Sequence, residues 1–371
     1  MATYRNIRKV LNLPTLSASP SSGANGEMYF NTGDLALYIY DGAWKKVTQS
    51  ALPFVYQGST KGYTALGFGS TEPNTVDKFT FASGGTAASI SGDLGSYATE
   101  FWASCNYAAG TIGYVYGGYV GNTYYSRIAR KFNMSSDTCL SSLVNVFPDT
   151  ITGRQGGGND AEKGFNAGQF GNSVTPTYNG KVNIITFSSE SVAESSYTIT
   201  NGLEQPATSV GPTFIVYSGG RGPQGSTEGQ GRNLRFTFNL ANDADGVTQS
   251  STLSQTGYDL TGLASSTDGY VAGGRKGTEG GFALTNRIEK FSFASDSAVT
   301  ILGNLVRVTQ GMGGLGMSAT SDGFTPGGRS NASGSHVFQT DIHKFSYAGS
   351  SNATDVGDLS TATMENANCH I

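Results

Sequence analysis

The sequence predicts an all-β protein in which a small N-terminal module, residues 1–50, precedes a six-bladed β-propeller, residues 51–371. Glycine supplies 53 of the 371 residues and charged residues only 13%, which suits short strands and glycine turns and suits helices badly. A segment of about fifty residues also repeats along the chain. Within each repeat, apolar and polar residues alternate with the period of a strand.

The first landmark of the repeat is a glycine-rich apolar strand that occurs six times. It reads GYTALGFG from Gly62, GYVYGG from Gly113, GFNAGQFG from Gly164, PTFIVYSGG from Pro212, GYVAGG from Gly269 and GFTPGG from Gly323. The glycine pair is expected to provide positive φ at a sharp turn and to let neighbouring backbones approach closely.

The second landmark is an alternating strand with aromatic residues near its end. It reads VDKFTF at 76–81, ARKFNM at 129–134, VNIITF at 182–187, NLRFTF at 233–238, IEKFSF at 288–293 and IHKFSY at 342–347. Its large apolar position is assigned to Phe79, Phe132, Ile185, Phe236, Phe291 and Phe345, at intervals of 53, 53, 51, 55 and 54 residues. Period two directs Ile288 and Lys290 to one face and Phe291 to the other, between sheets, and predicts a solvent-facing His343.

Four short strands in about fifty residues are typical of a propeller blade, and six such blades account for residues 51–371. Each blade buries its apolar face only against its neighbours, so the ring has to be closed. Either the strand around PFVYQ, residues 53–57, or the C-terminal segment TATMENANCHI supplies the closing strand. The first is favoured as part of blade one, with the C-terminus packed beside it.

The N-terminal fifty residues predict a separate β-hairpin. Residues 28–31 and 37–40 form two strands around the turn NTGD, and the turn DGA brings Trp44 back over the pair. Such a hairpin is too small to be stable alone, and residues 18–25 are expected to be a flexible lead-in. Before it, a short helix or an extended arm is predicted, with Ile7, Val10 and Leu11 on one helical face.

These patterns resemble known proteins. The Gly-aromatic-x-x-Gly-Gly and Ile-x-Lys-Phe-Ser-Phe segments, over about 320 residues, resemble kelch-like β-propellers among the virion proteins of bacteriophages. Residues 22–47 resemble the short β module near the start of phage tail-fibre and appendage proteins. The matching aromatic positions are Tyr29, Phe30, Tyr38, Tyr40 and Trp44. The resemblance implies attachment to other virion proteins through residues 1–50 and a homo-oligomer, with a trimer favoured.

Charge and hydropathy argue against several classes of function. A net charge of −4 does not provide the clustered Lys and Arg that nucleic-acid binding needs. No apolar run reaches the ~20 residues required to cross a bilayer, and the N-terminus lacks the apolar core of a signal peptide. The sequence therefore predicts neither nucleic-acid binding nor membrane insertion. Assembly in the cytoplasm is expected, and the resemblance implies that the cytoplasm is a host's and that the final location is the virion.

Motifs for catalysis are absent from the sequence. Only three histidines occur, with no HExxH or clustered Cys and His, so no metal and no cofactor are expected. The Gly-rich runs at 153–160 and 218–231 lack the Lys-Ser/Thr of a phosphate-binding loop. Acidic residues in predicted loops are the only candidates for glycoside hydrolysis, which needs two converging carboxylates. They are Asp160, Glu162, Glu204, Glu228 and Glu279.

The remaining candidates are surface residues. Arg221, Arg275 and Arg329 follow the glycine pair at equivalent positions of repeats four, five and six. They either line one face and bind an acidic or glycan ligand, or hydrogen bond to carbonyl groups of the neighbouring blade. Tyr124 and Tyr125 are candidates for a sugar-stacking patch.

The sequence thus predicts a non-enzymatic virion protein, a fibre or appendage subunit anchored by its N-terminus and adhering to host-surface glycans through blade loops. One alternative is a capsid decoration or connector protein without host contact. The other is a polysaccharide-degrading enzyme.

Overall fold

Two compact units make up the chain, Met1–Phe54 and Val55–Ile371. The computed structural model describes residues 14–33, 36–46, 55–65, 67–69, 74–94, 104–108, 112–116, 119–120, 124–125, 128–143, 156–171, 177–199, 202–224, 227–243, 245–277, 283–311, 314–332, 335–349 and 351–371. Within these ranges the secondary structure is β-strand, and no helix is long and apolar enough to cross a membrane. The predicted N-terminal helix or arm, with Ile7, Val10 and Leu11, lies outside these ranges.

The N-terminal unit contains one four-stranded sheet. Its strands, in spatial order, are Thr15–Leu16, Met28–Asn31, Ala36–Tyr40 and Trp44–Lys46. The first strand runs parallel to the second, whereas the other pairs are antiparallel. The two predicted strands are therefore present, and the parallel strand beside them is an addition that its two-residue length hides from sequence patterns.

One face of this sheet carries an aromatic cluster. The Tyr29 ring stacks on Tyr38 at a centroid distance of 5.2 Å and meets Trp44 edge-on at 4.9 Å, and Tyr40 packs against Trp44. Phe30 points to the opposite face because neighbouring strand residues alternate. Two residues of the predicted lead-in contact the cluster, since Ser19 hydrogen bonds to the Tyr29 hydroxyl at 2.7 Å and Gly23 lies against Trp44.

The second unit contains six antiparallel four-stranded sheets among its described residues, here numbered 1 to 6 by repeat. Their strands, from first to fourth, are as follows: sheet 1, Ala367–His370, Lys61–Ala65, Val76–Thr80 and Gly84–Ser89; sheet 2, Ser104–Ala108, Ile112–Tyr116, Ala129–Asn133 and Thr138–Leu143; sheet 3, Gly156–Asn159, Lys163–Gly171, Thr177–Thr186 and Ser191–Thr198; sheet 4, Ala207–Val210, Phe214–Ser218, Arg235–Asn239 and Gly246–Thr248; sheet 5, Thr261–Ala264, Asp268–Ala272, Arg287–Ser292 and Thr300–Asn304; sheet 6, Met317–Ser318, Asp322–Pro326, Asp341–Ser346 and Thr354–Asp358.

The first strands of consecutive sheets lie beside one another, and the first strand of sheet 6 lies beside that of sheet 1. Shorter pairings extend the loops after the second strands. They are Tyr119–Val120 with Tyr124–Tyr125, Arg221–Gln224 with Thr227–Gly231, Gly257–Tyr258 with Arg275–Lys276 and Ala283–Leu284, Arg329–Ala332 with Ser335–Phe338, and Thr363–Met364 with Phe68–Gly69.

The first strand of sheet 1 comes from the C-terminus. Residues Ala367–His370 pair antiparallel with Lys61–Ala65, with Cys369 opposite Tyr63. The expectation that the segment around PFVYQ fills this place is wrong. Residues 51–54 lie outside the described ranges, and Tyr56 lies outside any strand while its carbonyl contacts His370. The C-terminal strand has the advantage that its four residues are all buried.

The glycine pairs behave as predicted where they are described. Gly219 and Gly220 have φ of 65° and 89°, and Gly273 and Gly274 have 63° and 92°, values that other residues rarely adopt. A Cβ on Gly219 would lie 2.9 Å from the carbonyl oxygen of Gly257. The pair therefore provides both the turn and the close approach of neighbouring segments.

Third strands are buried on both faces, because each sheet lies between two others. In sheet 5 the adjacent residues Ile288 and Glu289 are both buried, although they point in opposite directions. His343 of sheet 6 occupies the position that Glu289 has in sheet 5. It is 1% exposed, so the prediction of a solvent-facing histidine is wrong. Burial lowers the pKa of His343, and the nearby Asp341 carboxylate opposes this shift.

Strand register also corrects the assignment in repeat four. Phe79, Phe132, Phe291 and Phe345 each pair with the second residue of a second strand. In sheet 4 that partner, Ile215, pairs with Phe238 rather than Phe236. The repeated position is therefore Phe238. With this residue the first four intervals are all 53 residues, so the repeat is more regular than the sequence indicated.

The C-terminal strand predicts a specific pH dependence of stability. His370 is fully buried, its Nε2–H donates to the Tyr56 carbonyl at 2.7 Å, and Nδ1 faces the Ser318 N–H at 3.4 Å. Burial lowers the pKa of His370 to about 4, and the bond to Tyr56 opposes this only in part. Because the unfolded chain binds the proton near pH 6.5, the free energy of unfolding should fall by about 3 kcal/mol from this group as the pH drops from 6.5 to 4.

Urea unfolding at a series of pH values measures this slope. His370→Asn should flatten the dependence in that window whatever its effect at pH 8. An unchanged slope in the variant would show that other groups cause the acid sensitivity.

Candidate functional site

The three predicted arginines occupy one structural position in sheets 4, 5 and 6. Each follows the glycine pair after the second strand and pairs through its backbone with a residue that precedes a first strand. The pairs are Arg221 with Glu204, Arg275 with Tyr258 and Arg329 with Gln310. Because directly opposed residues of an antiparallel pair point to the same side, each arginine shares its surroundings with this partner.

Arg221 is held by a buried carboxylate. Its Nη1 lies 3.8 Å from Oε1 of Glu204, which is fully buried, and its guanidinium lies 5.8 Å from the centre of the Tyr258 ring. A buried carboxylate is unfavourable without a cation beside it. Arg221 therefore compensates Glu204, which makes it a structural residue.

Arg275 is held in a similar way by Asp259, the residue that follows its backbone partner Tyr258. Its Nε lies 2.9 Å from Oδ2 of Asp259, and its guanidinium lies 5.4 Å from the centre of the Tyr258 ring, whose hydroxyl accepts a hydrogen bond from Nη1 at 3.4 Å. Asp259 is buried and has φ of 56°. The charge of Arg275 is thus largely balanced within its own sheet.

Arg329 differs because its backbone partner, Gln310, is uncharged. No carboxylate of the described residues lies within ion-pair distance of Arg329, and its buried Nε has no hydrogen-bond acceptor there. Gln310 is 2% exposed, and its Nε2 also lacks an acceptor among the described residues. Burial and the charge of Arg275 lower the pKa of Arg329, and Glu365 and Asp259 oppose this shift.

The arrangement therefore places two unused groups of donors, on Arg329 and Gln310, beside two balanced arginines. Arg329 Nε and Gln310 Nε2 are buried donors on one backbone pair, a donor of this kind suits an oxygen acceptor, and a guanidinium is best matched by a carboxylate. We define the arginine end of the protein as Arg221, Arg275, Arg329, Tyr258 and Gln310.

Tyr124 and Tyr125, the other predicted binding residues, form the second strand of the hairpin that follows sheet 2's second strand. Tyr125 pairs through its backbone with Tyr119. This hairpin leaves its sheet at the position where sheets 4 and 6 carry the arginine hairpins. The tyrosine side chains themselves lie outside the described part of the chain.

Of the acidic candidates for hydrolysis, Asp160 and Glu204 do not converge, whereas Glu279 and the Glu228 side chain lie outside the described part of the chain. Asp160 directly follows the first strand of sheet 3, where it accepts backbone hydrogen bonds from Glu162 and Lys163 in a turn. Glu204 precedes the first strand of sheet 4, at the opposite end of the neighbouring strand. Burial raises the pKa of Asp160, yet a second carboxylate facing it is not found among the described residues.

Two acidic residues in the second unit, Asp243 and Asp268, are paired with lysines. Asp243 pairs with Lys163, and Asp268 lies 3.1 Å from Lys290. Among the residues that the structure describes, no group of three or more His, Cys, Asp or Glu side chains is placed to hold a metal ion.

Sequence reasoning found the arginines but not their partners Glu204, Tyr258, Asp259 and Gln310. The partners precede the arginines by about one hairpin, at positions whose residue type is not repeated. What these positions share is a backbone conformation. The residue after each backbone partner, which is Gln205, Asp259 or Gly311, has φ between 53° and 66°.

Comparison with solved structures shows the architecture. YjhT, a kelch-type β-propeller protein, superposes with a TM-score of 0.61, and the match covers 82% of this chain and 98% of that chain at 13% identity. This chain has a β-propeller fold. No protein-family model and no curated protein sequence matches the chain. At this identity the likeness to YjhT extends to the propeller fold alone.

The two classes of arginine in this propeller should respond differently to substitution. Glu204→Gln should lower the free energy of unfolding by about 2 kcal/mol, because Arg221 loses the buried carboxylate that balances it. Gln310→Glu, which places a carboxylate opposite Arg329, should not destabilise the protein. Urea unfolding at pH 7.5 compares the two variants, and equal stability of Glu204→Gln and the parent would contradict the structural role of this pair.

Proposed function

We propose that the chain is a non-enzymatic adhesion protein, a six-bladed closed propeller whose arginine end binds acidic groups of surface glycans. We further propose that it is a subunit of a phage virion fibre or appendage, attached through residues 1–50. The observation that carries the binding proposal is the pair of unused donors on Arg329 and Gln310.

The closed ring is supported by the neighbour relations of the first strands. They run from sheet 1 to sheet 6 and return to sheet 1. The pairing of Ala367–His370 with Lys61–Ala65 joins the two ends of the repeat region in one sheet. A ring of this kind needs no exposed sheet edge at its centre, and it presents its loops on two ends.

The chemistry of the arginine end favours a carboxylate ligand. Arg221 and Arg275 are neutralised by Glu204 and Asp259, so an added anion gains little from them. Arg329 has a positive charge and a free Nε, and Gln310 adds a neutral donor that can bind a second oxygen. A sugar acid offers both a carboxylate and hydroxyl groups to such donors.

Adhesion by a single arginine site is expected to be weak. An exposed ion pair typically contributes about 0–1 kcal/mol. Several copies of the propeller on one appendage would raise the overall affinity through their high effective concentration. The proposed homo-oligomer, with a trimer favoured, therefore fits the modest size of the site.

The N-terminal unit supports the attachment proposal through its separate core. The cluster of Tyr29, Tyr38, Tyr40 and Trp44 packs within its own sheet. A compact unit of this kind can carry binding surfaces for other virion proteins independently of the propeller. The opposite face of the sheet, which includes the half-buried Phe30, provides an apolar surface for this purpose.

Binding of oligogalacturonate tests the adhesion proposal. The parent should bind oligogalacturonate but not its methyl ester, and Arg329→Gln should weaken binding at least tenfold. Gln310→Glu should weaken it similarly, because the new carboxylate competes for Arg329. Isothermal titration calorimetry at low salt measures these affinities.

Lys276→Gln, which removes an exposed charge next to Arg275 in the same strand, serves as the control and should retain most of the affinity. Equal binding of acid and ester, or full binding by Arg329→Gln, would refute the arginine end as the site. Virion location is tested separately, because antibodies against residues 55–371 should decorate an appendage of intact phage particles.

A further inference from the structure

Neighbouring sheets are connected by a repeated polar junction. In sheet 1, Lys78 of the third strand pairs with Asp137, which lies in the last hairpin of sheet 2. In sheet 2, Lys131 pairs in the same way with Glu190 of sheet 3 at 2.9 Å. A tyrosine of the second strand completes each junction, since the Tyr63 and Tyr114 hydroxyls donate to these two carboxylates.

Sheets 3, 5 and 6 also have a lysine beside the second strand, although only the lysine of sheet 3 pairs with a neighbouring sheet. Between sheets 3 and 4 the lysine comes from the second strand, where Lys163 pairs with Asp243. In sheets 5 and 6 the third-strand residues Lys290 and Lys344 pair with the acid that begins the second strand, at 3.1 and 3.4 Å. The lysine therefore fills the space beside the second strand in five of the six sheets.

Sheet 4 breaks this rule at both positions. Its register places Phe214 where sheets 5 and 6 have their acid, and Thr237 where they have their lysine. Val216 stands where sheets 1, 2 and 5 have tyrosine. At this one junction, phenylalanine thus replaces the acid, threonine replaces the lysine and valine replaces the tyrosine. Among the described strands, sheet 4 alone has no lysine at either position, and a local departure of this kind is where function is expected.

A cavity of about 330 Å³ opens at this junction. This volume lies within the range of small-molecule sites. Its lining includes Phe214, Thr237, Val247, Gln249, Phe293 and Asp296. Asp296 occupies the hairpin position that Asp137 and Glu190 have in other sheets, and it pairs instead with Arg235 at 3.2 Å and accepts hydrogen bonds from Ser250.

The lining combines aromatic and polar groups. The Phe214 and Phe293 rings meet edge-on at a centroid distance of 5.8 Å, which gives the cavity an aromatic wall. Gln249 contributes a buried Oε1 that has no donor among the described residues. A hydroxyl group is a suitable donor for this oxygen. The carboxylate of Asp296 disfavours an anionic ligand.

We propose that the cavity between sheets 4 and 5 binds one residue of an uncharged saccharide, with its apolar face on the phenylalanine wall and a hydroxyl donating to Gln249. The site is separate from the arginine end and selects the opposite class of sugar. Its failure would leave the proposed binding of acidic glycans untouched, because the two tests use different ligands and different variants.

Saturation-transfer NMR tests this site with three probes, the methyl glycosides of glucose, galactose and mannose. At least one should receive saturation from the full-length protein. Thr237→Lys restores the lysine of the repeat, should pair with Asp296 and fill the cavity, and should reduce the transfer at least tenfold.

The control Ile301→Lys adds the same charge at an exposed position of sheet 5 and should leave the transfer unchanged. The double variant Phe214→Asp/Thr237→Lys copies the ion pair of sheets 5 and 6. If Thr237→Lys alone does not fold, this variant tests the same filling of the cavity in a folded protein. Gln249→Ala should also weaken binding. Absence of transfer to all three neutral glycosides, or transfer that survives both lysine variants, would overturn the proposal.

Discussion

The structure depends on the burial of both faces of the central strands, the second and third of each sheet, among the described residues of the second unit. A four-stranded sheet of this length cannot shelter its own faces, so each one relies on the sheet before it and the sheet after it. This explains why Glu289 and His343 are buried although they alternate with apolar residues. Lysine–carboxylate pairs connect sheets 1 to 2, 2 to 3 and 3 to 4 at partly buried positions, where a charge is more stable when it is paired.

Much of this architecture could be predicted from local patterns. The glycine pairs and the Lys-Phe-x-Phe strands identify second and third strands because their spacing and alternation are local properties. Phe236 was exchanged with Phe238 because two aromatic residues two positions apart give the same alternation, and only strand register separates them. The pairing of His370 with Gly62 joins residues about three hundred positions apart, and ANCH does not alternate, so no local pattern indicates it.

The candidate sites could also be predicted only in part, because residues that become neighbours through strand pairing are not visible in local sequence patterns. Repetition placed Arg221, Arg275 and Arg329 at one position, yet their electrostatic difference depends on Glu204, Asp259 and Gln310, which become neighbours only through pairing across a hairpin. The cavity beside Phe214 was hidden for a related reason. Its signal is the absence of a lysine, and that absence becomes visible only when register has aligned Thr237 with Lys290 and Lys344.

The late position of Ala367–His370 in the chain has a consequence for synthesis. Sheet 1 cannot acquire its first strand until the ribosome has released residue 370, so the edge of Lys61–Ala65 stays open while the intervening sheets emerge. An unpaired strand edge recruits other chains. Translation speed and local crowding of nascent chains should therefore set how much of the protein reaches its native state and how much aggregates.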